Sequence, residues 1–245
     1  MEKKLFTIGQ VADLIGVSIQ TLRRWDDSHR LVPVRRNETG HRYYSQNSIE
    51  EFVRDNTKYL FAFVKKWTTS ELGNELPANF YCKDISVFQA RLSRLEMDLG
   101  RIKKLEKIYP LITAITGEIG NNSFDHNLGN WPDISGIFFV YDLSKKHIVL
   151  ADRGQGILAT LKKVKPNLPS HQEALKTAFT EIISGRAPEY RGNGLKFVKE
   201  IVETNEIGLI FYTGDAQIEI QKKNFELNIK KSNIYLQGCL ALIKF

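Results

Sequence analysis

A chain of 245 residues with 42% hydrophobic and 26% charged side chains and a formal charge of +7 has the apolar material to bury a core, as one large domain or two modest ones. No apolar run approaches the roughly eighteen residues that a membrane span requires, and the start "MEKKLFTIGQ" lacks the apolar core of a signal peptide. Cys82 and Cys239 stand far apart with no C-x-x-C pairing, which points to a reducing, cytoplasmic setting.

In chain order, Ile8, Val11, Ala12 and Ile15 describe a short amphipathic helix, Gly16 turns it, and Ser18 caps a second helix. Two helices around a tight turn make a helix-turn-helix. In the second helix Gln20, Thr21, Arg23 and Arg24 are polar or cationic while Leu22 and Trp25 suit a core, the division that a groove-reading helix needs. From Arg23 to Arg42 six arginines stand against three acids, Asp26, Asp27 and Glu38, so the positive charge is concentrated there as a candidate nucleic-acid face. "RRNETGHRYY" then sets Asn37, Thr39 and Gly40 at a turn between extended flanks, a β-hairpin wing.

The motifs "GVSIQTLRRW", "LVP" and "GHRYY", in that order and spacing, resemble the MerR-type winged helix-turn-helix over about the first 45 residues. The resemblance implies that the helix from Ser18 to Trp25, with Ser18, Gln20, Thr21, Arg23 and Arg24, enters the major groove of double-stranded DNA. It also implies that Arg36, His41, Arg42 and Tyr43 reach the backbone or the adjacent minor groove.

The stretch from "QNSIEEFVRDNTKYLFAFVKKW" to about Tyr81 reads as helix followed by irregular chain. Phe88, Leu92, Leu95, Leu99 and Ile102 then recur at spacings of four and three. Such a seam packs on its own domain or pairs with a second copy to form a homodimer. The first is favoured, because the seam is short and Gly100 interrupts its helical preference.

"IYPLITAITGEIGNNSFDHN" continues as a helix that turns polar, stacking Glu118, Asn122 and His126 on one face with Asn121 and Asp125 beside them. Strand-length apolar runs follow at "SGIFFVYD", "HIVLADRG", "EIGLIFYTGD", "AQIEIQ", "FELNIKK" and "GCLALIKF", with "SHQEALKTAFTEII" and "GLKFVKEIVET" helical by period. The pattern predicts an α+β domain, a mostly antiparallel sheet covered by helices on one face. The expected organisation is therefore an all-α winged helix-turn-helix over 1–50, a helical connector with a possible self-association helix over 51–104, and the α+β domain over 105–245.

Taken together, Glu-x-x-x-Asn on a helix, "DRGQGI" after a strand, "RGNGL" before a helix and a last strand introduced by Gly238 resemble the GHKL ATP-binding fold, the Bergerat-like sandwich of gyrase B subunits, heat-shock chaperones and histidine kinases. The resemblance implies ATP and Mg²⁺ as ligands. Asn122 would hold Mg²⁺ through its amide oxygen with Asn121 and Asp125 beside it, and Asp152 would accept a hydrogen bond from the adenine amine. Gly154, Gly156 and Ile157 would flank the base, and Gly192, Gly194 and Leu195 would bring a helix N-terminus to the phosphates. Glu118 matches the hydrolytic general base. The second glycine box is thinner than the family's, and the expected lid, Leu158 to Arg191, carries Arg186 and Arg191, each a candidate γ-phosphate contact.

These readings combine into a nucleotide-responsive DNA-binding transcriptional regulator, with ATP or ADP and a protein as further candidate partners. The alternatives are a serine kinase of the anti-sigma type with a DNA-binding head, and a DNA-acting GHKL ATPase. The five histidines and two cysteines show no metal-ligand spacing.

Overall fold

The computed structural model describes residues 5–71, 78–182, 194–223 and 226–245. The chain divides into two compact units, Met1–Trp67 and Thr68–Phe245.

In the first unit β1 (Leu5–Thr7) leads directly into α1 (Ile8–Ile15), which opens with a reciprocal cap between Thr7 and Gln10. Gly16 ends α1 at φ 75°, a left-handed conformation suited to glycine, and its amide closes on the Ala12 carbonyl at 3.0 Å. α2 (Ile19–Asp27) begins at Ser18, whose hydroxyl accepts from the Thr21 amide at 3.1 Å. β2 (Arg35–Arg36) and β3 (Arg42–Ser45) form the expected wing. The wing is larger than a hairpin, because β1 pairs antiparallel with β3 and makes a three-stranded sheet in the order β1-β3-β2. A three-residue strand is too short to leave a periodic signature, which is why it escapes a reading by pattern. α3 (Gln46–Arg54) and α4 (Thr57–Thr69) follow, and Lys66 of α4 reaches back to the Asp13 carbonyl.

In the second unit β4 (Tyr81–Cys82), β5 (Ile137–Asp142), β6 (His147–Asp152), β8 (Asn228–Lys244) and β7 (Gly208–Ile220) form one five-stranded sheet in that spatial order, antiparallel throughout. α5 (Ile85–Gly100), α6 (Tyr109–Asn127), α7 (Gly156–Lys162), α8 (His171–Thr180) and α9 (Gly194–Thr204) contribute one core with the inward side chains of the sheet, such as Phe139, Leu150 and Ala241. The alternate residues Phe138, Val140, Val149, Leu240 and Leu242 are buried as well. Burial on both faces explains why these central strands read as continuous apolar runs and not as alternation.

The seam Phe88, Leu92, Leu95 and Leu99 of α5 lies in this core, where Gly117 and Gly120 of α6 let α5 come close. The four late strand signals prove to be two long strands. "EIGLIFYTGD" and "AQIEIQ" join as β7, "FELNIKK" and "GCLALIKF" as β8, with register shifts beside Gly214. Gly214 at φ 55° and Gly238 at φ 77° absorb the irregularity, so glycines that look like strand breaks sit inside strands. The expected lid holds most of α7 and all of α8. Arg186, Arg191 and Gly192 lie outside the described residues.

Candidate nucleic-acid interface and candidate nucleotide site

On α2 Leu22 and Trp25 are buried, whereas Gln20, Arg23 and Arg24 are exposed, as the amphipathic pattern requires of a reading helix. Ser18 and Thr21 are committed locally, since their hydroxyls lie 2.9 Å apart and Ser18 caps the helix. At the wing tip Gly40 has φ 77°, and the Asn37 side chain accepts from the His41 amide at 2.7 Å. The His41 ring meets the Thr39 hydroxyl at 2.6 Å. Tyr43 is half-buried in β3.

Arg36 and Arg42 both converge on Asp26, a carboxylate of α2 that is 2% exposed. Arg42 donates from Nε to Oδ2 at 2.5 Å, and Arg36 Nη2 donates to the two carboxylate oxygens at 2.7 and 2.8 Å. Burial pushes the Asp26 carboxyl up, but the hydrogen bonds from Arg42 and Arg36 outweigh it and hold the group below the usual carboxylate range. The resemblance implies that these arginines reach the backbone or the adjacent minor groove. The fold shows that they tie the wing to α2.

In the second unit the polar residues of α6 serve two neighbours. Towards its middle Glu118 and Asn122 approach the first residue of α9, where a Cβ on Gly194 would stand 2.7 Å from Glu118 Oε2 and 3.2 Å from Asn122 Nδ2. Glycine at 194 therefore lets the α9 N-terminus meet these two side chains. Leu195 is half-buried against the core. Asn121 points elsewhere, accepting from Gln89 of α5 at 2.7 Å, and Asp125 is half-buried.

Towards its end α6 binds the loop after β6. Ser123 donates to Asp152 Oδ2 at 2.8 Å, Asn127 accepts from the Gln155 amide at 2.7 Å, and Gln155 donates to the His126 carbonyl at 3.0 Å. Burial together with Lys163 holds the His126 ring below its ordinary value, so it is neutral at neutral pH. Asp152 is 1% exposed and also accepts from the Gly154 amide at 2.8 Å. Burial pushes it up to about 6, against the hydrogen bonds from Ser123 and from the Gly154 and Cys239 amides, which favour the charged form.

The glycines here are required by the protein itself. A Cβ on Gly154 would overlap the Asn127 amide, and one on Gly238 would overlap Asp152. Gly156 has φ 73° and faces the Thr213 hydroxyl. Thr213 is fully buried, accepts from the Ile157 amide at 3.2 Å and donates to the Gly238 carbonyl at 3.0 Å. Ser123, Asn127 and Thr213 were not singled out by sequence. Ser123 and Asn127 lie on the same helix as the predicted residues but not on the face of Glu118, and Thr213 joins only through the sheet. Among the described residues no group of three or more His, Cys, Asp or Glu side chains is placed to hold a metal ion, and no helix is long and apolar enough to cross a membrane.

Adjacent to Asp152, Arg153 is fully buried. It donates to Asp133 from Nε and Nη2 at 2.8 and 2.6 Å, to the Ser70 carbonyl at 2.9 Å and to the Gln237 side chain at 3.2 Å. The loop is thereby pinned to the start of the second unit and to β8.

A likeness to the type II methyltransferase M.Eco47II of Escherichia coli runs over 134 residues at 29% identity, 51% of this chain and 31% of that protein. The HTH-type transcriptional activators TipA of Streptomyces coelicolor and Streptomyces lividans are each 42% identical over 45 residues, 18% of this chain and 18% of theirs. The chain thus spans under a third of the length of the curated relatives it matches. A MerR-family transcriptional regulator from Bacillus cereus aligns in structure over 49% of this chain and 83% of its own at 17% identity, with a TM-score of 0.21, too loose a superposition to bear on the fold. Residues 7–44 match the MerR family of regulatory proteins, the segment that forms α1, α2 and the wing. The N-terminal unit of this chain therefore carries a MerR-family helix-turn-helix domain.

Proposed function

We propose that the chain is a transcriptional regulator whose first unit binds double-stranded DNA and whose second unit binds ATP with Mg²⁺, the nucleotide altering DNA or partner contacts. The DNA half is supported by exposed Gln20, Arg23 and Arg24 on a capped helix within the MerR-like segment. The observation that carries the nucleotide half is a convergence: Glu118 and Asn122 of α6 meet the α9 N-terminus, while the same helix holds the loop of the buried Asp152 through Ser123. An anionic ligand suits a helix N-terminus, and a base with an exocyclic amine suits a buried carboxylate.

Asn122 supplies one neutral oxygen, which fits Mg²⁺ carried mainly by nucleotide phosphates and not by a protein cage. Held by Asn122, Mg²⁺ would neutralise phosphate charge. Asp152 orients the base, and Glu118 is the candidate general base.

Calorimetry with ATP and Mg²⁺ tests the nucleotide half. Asp152→Ala and Asn122→Ala are each expected to weaken binding by about tenfold or more, the scale of one charge-assisted or metal-linked contact. Wild-type affinity in both variants removes the site. Hydrolysis is a separate claim: Glu118→Ala should retain binding and lose turnover, and label transferred from ATP to a partner serine would instead mark a kinase.

A further inference from the structure

Arg36 and Arg42 are direct cross-strand partners in the wing. Like charges placed opposite each other destabilise a strand pair. Here the pair is neutralised from a third element, since Asp26 of α2 takes both guanidinium groups on one buried carboxylate. The two arginines are not equivalent. The Arg42 side chain is 21% exposed, donates from Nε and has Asp27 as a second carboxylate at 4.0 Å. The Arg36 side chain is 54% exposed and donates only from Nη2, so its Nε and Nη1 make no hydrogen bond among the described residues.

We propose that Asp26 is a positioning residue that sorts the wing arginines into an anchor, Arg42, and a pre-oriented phosphate ligand, Arg36. A guanidinium carries five donors and grips a phosphate best with two of them. Arg36 keeps donors for a phosphate while Nη2 stays on Asp26, so the side chain is ordered before DNA arrives and less freedom is lost on binding. Removing an acid near DNA normally tightens binding by charge alone. Positioning reverses that sign, because Asp26→Asn releases Arg36 from its orientation.

The inference rests on the DNA-binding reading of the first unit, and one experiment separates the two. The full-length protein is titrated with a random-sequence 30-bp duplex across a range of NaCl concentrations, with thermal unfolding followed in parallel. Arg36→Ala is expected to reduce the slope of log affinity against log salt by about 0.9, one phosphate contact, with little change in melting temperature. Arg42→Lys is expected to melt several degrees earlier with an unchanged slope. Asp26→Asn is expected to bind more weakly than wild type, and Asp26→Asn combined with Arg36→Ala no more weakly than Arg36→Ala alone. Tighter binding by Asp26→Asn, or an unchanged slope in Arg36→Ala, overturns the proposal. Should Asp26→Asn fail to fold, the contrast between Arg36→Ala and Arg42→Lys still decides it, since equal slope losses in the two overturn it. If Arg23→Ala with Arg24→Ala weakens binding while the Arg36 variant does not, the DNA reading survives and the positioning claim falls. Wild-type protein without salt-dependent binding sinks both.

Discussion

Asp152 receives hydrogen bonds from Ser123 and from two backbone amides yet sees almost no solvent, and burial prevails, so its carboxyl ionises near pH 6. An aspartate in the unfolded chain ionises near 3.9. Between those values the folded state holds the proton more tightly, so the Asp152 contribution is favourable at pH 4 and declines as pH rises to about 6. Over this window it removes on the order of 2 to 3 kcal/mol of stability. Chemical denaturation of the nucleotide-free protein at pH 4, 5, 6 and 7 should show that decline, flattened in Asp152→Asn. Asp26 titrates outside this window: its carboxyl is held low, so its stabilisation is present above the ordinary aspartate range and is lost only as pH falls below about 4.

The neighbouring Arg153 is a stability residue of another kind. Arg153→Met strips Asp133, Ser70 and Gln237 of a shared donor, and a loss of about 3 kcal/mol is expected in urea unfolding. A loss below 1 kcal/mol would mean that the partly exposed Asp133 is satisfied by water.

At the scale of elements, the glycines in "GEIG" matter for packing before any chemistry. A Cβ on Gly120 would overlap the Phe88 ring, and one on Gly117 would stand 3.2 Å from Leu92. Gly120→Ala should therefore cost about 1 to 3 kcal/mol through overpacking of α5 on α6. Phe88→Leu in the same chain should recover part of that loss, a coupling that independent sites do not show. Polar residues of α6 are also structural, since Ser123 and Asn127 hold the loop after β6 while Glu118 and Asn122 turn to α9. Sequence spacing stacked Glu118 and Asn122 on one helix face and gave Ser123 and Asn127 no role, because the partners of these two lie 29 and 28 residues further on.

For the whole molecule, the division between the units at Trp67 falls within α4, Thr57 to Thr69. If nucleotide alters DNA binding, the coupling is reciprocal. DNA affinity measured with ATP–Mg²⁺, with ADP and without nucleotide should then differ by about fivefold or more, and DNA should change nucleotide affinity by the same factor. Equal DNA affinity in all three conditions separates a nucleotide site from a nucleotide switch.

Local features of the sequence determined most of the first unit. Its capped helices, turn glycines and the β2–β3 hairpin are built from residues within a few positions of each other, and pattern and propensity act over that range, whereas the pairing of β1 with β3 lies beyond it. They also determined α5, α6, α8, α9 and the central strands of the second unit, because apolar period survives without knowledge of the partner, whereas α7 is not read this way. Only the tertiary structure decided that Gly214 and Gly238 lie inside strands, that Thr213 reaches the Ile157 amide, and that Asp26 holds both wing arginines. Each of these depends on the meeting of distant segments, where a buried polar group must find a partner or be penalised. That requirement leaves no periodic trace in the chain.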